Sequence, residues 1–405
     1  MNNDQITNLL ENTVSTIIER RDLEQQLRSG RSLRVYLGVD PSSPDIHLGH
    51  AVVLWKLRQF QDLGHHVILL IGDFTAQIGD PSGRTTKRTP LTHEIVLQNA
   101  QDYQQAASKI IRFDGDNAAE LKYNSHWLSK MTLKDIISLS SHFTVQQMIE
   151  RDMFQDRLKA GRPIGLHEFL YPLIVGIDCI ELNVDVEVGG NDQLFNIKAG
   201  RTLMEKVNGK RKVVLTCDLL TGSDGTKMSK SAGNAISITT SPDDMFGKLM
   251  AIDDKLIEEY ARLCADMSNH ELENLSKRLK SGENPRDVKM DVAENIVARY
   301  NLEEVASKTR EDFIITFSKR SNFKGEANVE AFFPAPLVEM PLLELVAVIS
   351  GQSNTQSRRL IEDGAVDIDE VQAKDPKKMI DLKQSLVIKI GKYRHIRVQH
   401  LDGGK

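Results

Sequence analysis

Two hydrophobic rhythms alternate along the chain. "LRVYLGV" (33–39) is an apolar, β-branched run that stops before Asp40 and Pro41, which predicts a buried strand. "HAVVLWKLRQFQDLG" (50–64) brings Val53, Leu57 and Phe60 onto one helical face and ends on Gly64. "HVILLIGDF" (66–74) returns to the strand pattern. Strand, turn, helix, strand is the opening of a parallel α/β sheet, whose ligands bind beyond the carboxyl ends of the strands. "GVDPSS" (38–43) and "GDFTAQIGDPSGR" (72–84) fall at such ends. From about 90 to 165 the spacing is mostly helical, which predicts an insertion between two halves of the sheet. "HEFLYPLIVGID" (167–178) reads as a helix, "VDVEVGGNDQLFN" (184–196) as a strand running into a glycine turn, and "VVLTCDLL" (213–220) as a strand before the loop "TGSDGTKMSKSAGNA" (221–235).

The remainder divides differently. Residues 240–320 read as helices, two of them opened by a cap followed by proline, "SPDD" and "NPRD". "FKGEANVEAFFPAPLVEMP" holds three prolines and little periodicity, the mark of a linker. "PLLELVAVISG", "NTQSRRLIEDGAV" and "SLVIKIGKYRHIRVQ" predict two helices and short strands in a small terminal unit. The N-terminal "MNNDQITNLLENTVSTIIERR" spaces Ile6, Leu9, Leu10, Thr13 and Ile17 as a helix docking one face would. The expected fold class is α/β. It comprises a Rossmann-like parallel-sheet domain over 1–235 with an insertion around 90–165, and a helical domain over 236–325. A linker over 326–340 leads to a small α+β domain over 341–405.

Composition narrows the class. With 40% hydrophobic and 27% charged residues the chain is globular, and 405 residues call for more than one core. A net charge of -5 leaves room for local basic patches. Cys179, Cys217 and Cys264 are far apart, which argues against a disulfide framework or a cysteine metal site and for a reducing, cytoplasmic setting. The N-terminus lacks the layout of a signal peptide, and no apolar run is long enough to span a membrane.

Two stretches carry candidate chemistry. "HLGH" (47–50) stands where a helix begins, and the free N–H groups and positive dipole end of a helix attract phosphate. His47 and His50, three residues apart, share one face of the first turn and add donors. Gly49 leaves backbone open to a flat base or ribose. Alone, the pair reads equally as surface histidines capping a helix. "KMSKS" (227–231) sets Lys227 and Lys230 in a glycine- and serine-rich loop, where two ammonium groups can close over a leaving pyrophosphate. Alone, it reads as a solvated basic loop.

Together, in this order and strand context, they resemble the two signatures of a class I aminoacyl-tRNA synthetase. "YLGVDPSSPDIHLGH", "GDFTAQIGDPSGR", "HEFLYPLIVGID" and "GGNDQLFN" resemble tyrosyl-tRNA synthetases of the bacterial type, and the likeness runs through the tail. The resemblance implies that ATP, with Mg2+ on its phosphates and no metal site of protein ligands, activates tyrosine to an adenylate. The terminal ribose of tRNA(Tyr) then takes the tyrosyl group. It implies His47, His50, Lys227 and Lys230 as catalytic groups. Asp40, Ser42, Gly49, Arg84, Arg88, Gly190, Asp192, Ser229 and Ser231 are implied at the nucleotide and pyrophosphate. Gly189 adds close backbone approach. Tyr36 and Asp178 would read the phenol, Asp80 and Tyr171 the ammonium, and Thr75 and Gln193 the rest of the amino acid. Val175 departs from the family, which usually has Gln there to help hold the amine, and Ile177 stands where an aromatic is common. The tail resembles an alpha-L RNA-binding motif, with Arg358, Arg359, Lys377 and Lys378 for phosphates and Lys374, Lys389, Lys392, Arg394 and Arg397 adding charge. A homodimer is implied, and no membrane partner. The residues also admit a paralogue for a tyrosine analogue, a nucleotidyltransferase acting on a small acceptor, or a non-catalytic RNA-binding protein.

Overall fold

The structure, a computed structural model, describes residues 3–80, 92–228, 233–318, 329–334, 339–391 and 394–401. The chain divides into two compact units, Met1–Thr309 and Arg310–Lys405.

The first unit is built on a six-stranded sheet: β1 (Val14–Ile18), β2 (Arg34–Val39), β3 (His66–Ile71), β4 (Glu120–Tyr123), β5 (Val186–Gly190) and β6 (Val213–Cys217), in the order β1-β6-β5-β2-β3-β4. Every neighbouring pair is parallel except β1 with β6. The chain winds outward from β2 through β3 to β4, then crosses to β5 and winds the other way. The β2/β5 junction is therefore a topological switch point, where a crevice opens past the strand ends. Buried on both faces, β3 and β6 are apolar throughout, His66 and Thr216 aside. The helix Leu48–Asp62 crosses from β2 to β3 and buries Leu54, Leu57 and Phe60.

Two readings of the pattern change here. The N-terminal segment is a helix only over Asn3–Glu11, where Ile6, Leu9 and Leu10 are buried. Thr13 has φ 62, which breaks the helix, and Val14–Ile18 pairs antiparallel with β6 as an edge strand. The predicted helical insertion contains β4, a half-buried edge strand, between the helix His93–Ala107 and the helices of 125–159. Beyond 240, four helices of the first unit pack around Met245, Phe246, Tyr260, Val292 and Ile296.

The second unit holds its own core of Leu342, Leu345, Ile361, Val366, Leu382, Ile388 and Val398. Its strands are β7 (Val329–Pro334), β8 (Glu339–Pro341), β9 (Val366–Ile368), β10 (Val371–Gln372), β11 (Met379–Asp381), β12 (Leu386–Ile390) and β13 (Arg394–Leu401). The segment read as a linker carries two of them. β7 pairs parallel with β13 and β8 pairs with β11, so backbone pairing overrides a proline-rich composition.

Candidate active site

The crevice at the switch point is a cleft of about 970 Å³. Three loops and one helix build it. β2 leads directly into Asp40, whose carboxylate accepts hydrogen bonds from Thr75 Oγ1 at 2.6 Å and from Tyr171 Oη at 2.9 Å. β3 leads directly into Gly72, where a Cβ would meet both Asp40 Oδ1 and Thr75 Oγ1 at 2.2 Å, so only glycine admits that bond. After β5, Gly190 leads into Asp192 and Gln193. Gln193 Nε2 donates to Asp80 at 2.7 Å and Asn196 Nδ2 donates to the same carboxylate at 3.4 Å. Burial lifts the Asp192 carboxyl above its ordinary value, while Lys227, 3.8 Å away, opposes the shift.

The helix Leu166–Glu181 turns Tyr171, Val175 and Asp178 toward this cleft. Asp178 is 3% exposed; it accepts from Trp127 Nε1 at 2.8 Å and Asn124 Nδ2 at 3.2 Å. Burial pushes its carboxyl up to about 7, against those two donors. Tyr36 is equally buried, and its hydroxyl donates to Glu187 at 2.6 Å. Burial raises its pKa well above the tyrosine range, with Cys179 and Asp178 adding to the shift. Burial likewise raises Tyr171, with Asp40 beside it.

At the opposite end stand the signatures. His47 is the N-cap of the helix Leu48–Asp62, and its ring stacks on His50 with centroids 3.8 Å apart. A Cβ at Gly49 would come to 3.1 Å from the His47 ring and 3.4 Å from Met228 Sδ, so the glycine lets the two signatures approach. They are also tied through backbone: Leu48 N–H donates to Ile236 O at 2.9 Å and Ile238 N–H to Ile46 O at 3.0 Å. The stem of the lysine loop is stapled by Asn234, whose Nδ2 reaches Asp224, Thr226 and the carbonyl of Lys227.

The cleft thus gathers His47, His50 and Lys227 with Asp40, Ser42, Gly49, Gly189, Gly190 and Asp192. It gathers Tyr36, Thr75, Asp80, Tyr171, Asp178 and Gln193 as well. Arg84, Arg88, Ser229, Lys230 and Ser231 lie outside the described residues. Arg358, Arg359, Lys377 and Lys378 belong to the second unit and are exposed there. Tyr36 lies in the middle of β2. The sequence reading missed Asn124, Trp127, Glu187, Lys212 and Asn234. The first four surround the Asp178 and Tyr36 side chains; a buried polar residue inside an apolar run, such as Glu187 in "VDVEVGG", was the available signal.

Residues 28–318 match the family described as tRNA synthetases class I (W and Y). The chain belongs to that family. Within it, the synthetase is 43% identical over 397 residues to a tyrosine–tRNA ligase of Thermotoga maritima, covering 98% of this chain and 97% of that one. It is 41% identical over 384 residues to one of Legionella pneumophila, covering 94% of each. Among solved structures it superposes on a C-terminally truncated mitochondrial tyrosyl-tRNA synthetase of Aspergillus nidulans. There the TM-score is 0.63 and the identity 21%, over 77% of this chain and 94% of that one, a likeness of fold. The synthetase is accordingly an aminoacyl-tRNA ligase of the tyrosine type.

Proposed function

We propose that the synthetase condenses tyrosine with ATP in this cleft and passes the tyrosyl group to the 3' end of tRNA(Tyr). The observation that carries the reading is the joining of a buried phenol site and two phosphate signatures in one cleft. A hydroxyl at the para position can donate to Asp178, already fixed by Asn124 and Trp127. Phenylalanine would leave those acceptors unpaired, a loss worth roughly 10⁴–10⁵-fold in such sites. Tyr171, Thr75, Asp40 and Asp80 offer oxygens to the ammonium. The tyrosine carboxylate attacks the α-phosphorus in line. His47, His50, Lys227 and Lys230 stabilise the charge that moves onto pyrophosphate, with Arg84 and Arg88 adding positive charge. Gly49, Ser42, Asp40, Gly190, Asp192, Ser229 and Ser231 hold the nucleotide, and Gln193 the sugar or carboxyl. No protein nucleophile is required, since positioning and charge stabilisation supply the rate.

Among the described residues no group of three or more His, Cys, Asp or Glu side chains is placed to hold a metal ion, so magnesium would arrive with the triphosphate. Exposed Leu133, Ile137, Val145 and Leu158 in the insertion, with Leu166 just beyond it, favour a second copy of the chain as partner there. Exposed Arg358, Arg359, Lys377 and Lys378 in the second unit favour phosphate contacts with tRNA. No described helix is long and apolar enough to cross a membrane, and we take the cytoplasm as the place of work. The test is ATP–pyrophosphate exchange without tRNA, run with each proteinogenic amino acid. Exchange that depends on tyrosine is expected; exchange without any amino acid would instead indicate a nucleotidyltransferase, and RNA binding with no exchange a non-catalytic paralogue.

A further inference from the structure

Behind the phenol end of the cleft lies a polar cluster that the reaction scheme above does not use. Lys212 enters from the start of β6, Glu187 from β5 and Cys179 from the helix Leu166–Glu181; their exposures are 0%, 4% and 0%. The Lys212 ammonium touches Glu187 Oε2 and lies 2.7 Å from Cys179 Sγ. Cys179 Sγ is also 3.3 Å from Glu187 and 3.2 Å from Tyr36 Oη. Around them are Ile68, Leu70, Leu182, Val184 and Met204. Gly200 makes room for the ammonium, since a Cβ there would stand 2.8 Å from Nζ. Burial pulls the Lys212 pKa down, so its charge is held at a cost. Replacing a buried ion pair by apolar residues of similar volume is often neutral or stabilising, so stability alone does not account for this pair.

The pair's neighbour is Tyr36. A phenol has one hydrogen, and that of Tyr36 is committed to Glu187 Oε1 at 2.6 Å, an oxygen that can only accept. The Tyr36 oxygen is thereby left to the cleft as an acceptor. Asp178, the other group at the para position, is an acceptor too, and its own donors Asn124 and Trp127 are already in place. A para-hydroxyl brings one hydrogen to two acceptors, whereas a neutral para-amino group brings two. We infer that Glu187, held by Lys212, is a specificity-determining positioning residue that fixes the Tyr36 hydrogen away from the substrate, so that the synthetase also activates a para-arylamine amino acid, 4-aminophenylalanine. This rests on the tyrosine reading of the cleft. Above about pH 7, where the Asp178 carboxyl has lost its proton, amino acids with acceptor-only para groups, such as 4-methoxyphenylalanine, gain nothing from either oxygen.

The test is ATP–pyrophosphate exchange with tyrosine, 4-aminophenylalanine, phenylalanine and 4-methoxyphenylalanine, in the wild type and in the double variant Glu187→Leu/Lys212→Met. The double change removes the acceptor without stranding a buried charge, and it frees the Tyr36 hydrogen for the tyrosine oxygen. In the wild type kcat/KM for the arylamine is expected within about tenfold of that for tyrosine, and in the double variant the ratio falls by about tenfold, chiefly through KM. Should the double variant fail to fold, Glu187→Gln alone is expected to lower the ratio in the same direction. A ratio unmoved within about twofold in a variant of unchanged thermal midpoint overturns the inference. So does a wild type that takes tyrosine yet rejects the arylamine as it rejects phenylalanine. Absence of tyrosine-dependent exchange in the wild type overturns the tyrosine reading itself, and this inference with it.

Discussion

The two ends of the cleft are built on opposite plans. At the end we propose for the phenol, Tyr36, Glu187 and Asp178 project from strands and a helix and are no more than 4% exposed, with each side chain hydrogen-bonded to protein partners before substrate arrives. At the phosphate end, the Lys227 side chain is 63% exposed on a loop and reaches Asp192 only at 3.8 Å. The first plan suits discrimination, since a rigid dry site penalises a missing hydroxyl in full. The second suits catalysis of charge transfer, since groups that move with the leaving pyrophosphate act most strongly in the transition state. Specificity and rate should then separate by residue. Changes at the buried end should alter which amino acid reacts, and changes on the loop how fast any of them reacts.

Asp178→Ala gives the sharpest break and the largest expected effect. It removes the acceptor and strands the Trp127 and Asn124 donors, so the preference for tyrosine over phenylalanine in exchange kcat/KM should fall by roughly 10³-fold or more. Equal discrimination in a folded variant would remove Asp178 from the pocket. Lys227→Ala is the mirror experiment. Exposed and outside any regular element, Lys227 can be truncated without unfolding anything, and kcat should drop by about 10²–10³-fold while KM for tyrosine holds. A variant whose tyrosine KM rises at unchanged kcat would mean that the two ends are not separable.

How much of this contrast could be read from the chain follows from the same physics. The winding β2, β3, β5 and β6 and both signatures are local patterns, and local patterns survive in a one-dimensional reading. Edge strands do not: β1 and β4 are short, half-buried and fixed by their neighbours rather than by alternation. At the site, His47, His50 and Lys227 announce themselves through spacing. Asn124, Trp127, Glu187 and Lys212 are scattered over 89 positions and meet only because β4, β5 and β6 fold beside one helix. The buried end is therefore the less legible, although its polar groups are the more fully partnered.

Acidity offers a milder probe. Asp178 is raised to about 7 by burial, with Asp40 pushing it further up and Trp127, Asn124 and Lys212 pulling it down. An empty carboxylate is what a para-hydroxyl needs, so KM for tyrosine should fall, by up to about tenfold, as pH rises from about 6 to about 8. KM for phenylalanine, which has no hydroxyl to donate, should stay flat in the same series. Stability moves the other way. A folded-state carboxyl raised above its unfolded value of 3.8 stabilises the fold fully only below that value, so the thermal midpoint of the free protein should decline as pH climbs from about 4 to about 7 and level off above. A tyrosine KM that does not follow pH would place the hydroxyl on a group other than Asp178.

The amine site between the two ends should give the smallest response. Val175 lines the cleft one helical turn after Tyr171, at the position where the sequence resemblance implies Gln. Its absence is cushioned, because Tyr171 and Thr75 already orient Asp40 while Gln193 and Asn196 orient Asp80. On the proposed reading two carboxylates therefore stand near the position of the ammonium, and the added carbonyl of Val175→Gln contributes one hydrogen bond to a charged group that is partly served. The expected gain is about two- to fivefold in tyrosine KM, with kcat and the tyrosine-to-phenylalanine ratio unchanged. The direction is diagnostic because the helix carries Val175 and Asp178 on neighbouring turns. A drop in discrimination instead of in KM would mean that Gln reaches the Asp178 carboxylate rather than the amine, and that the cavity left by Val175 belongs to the phenol end.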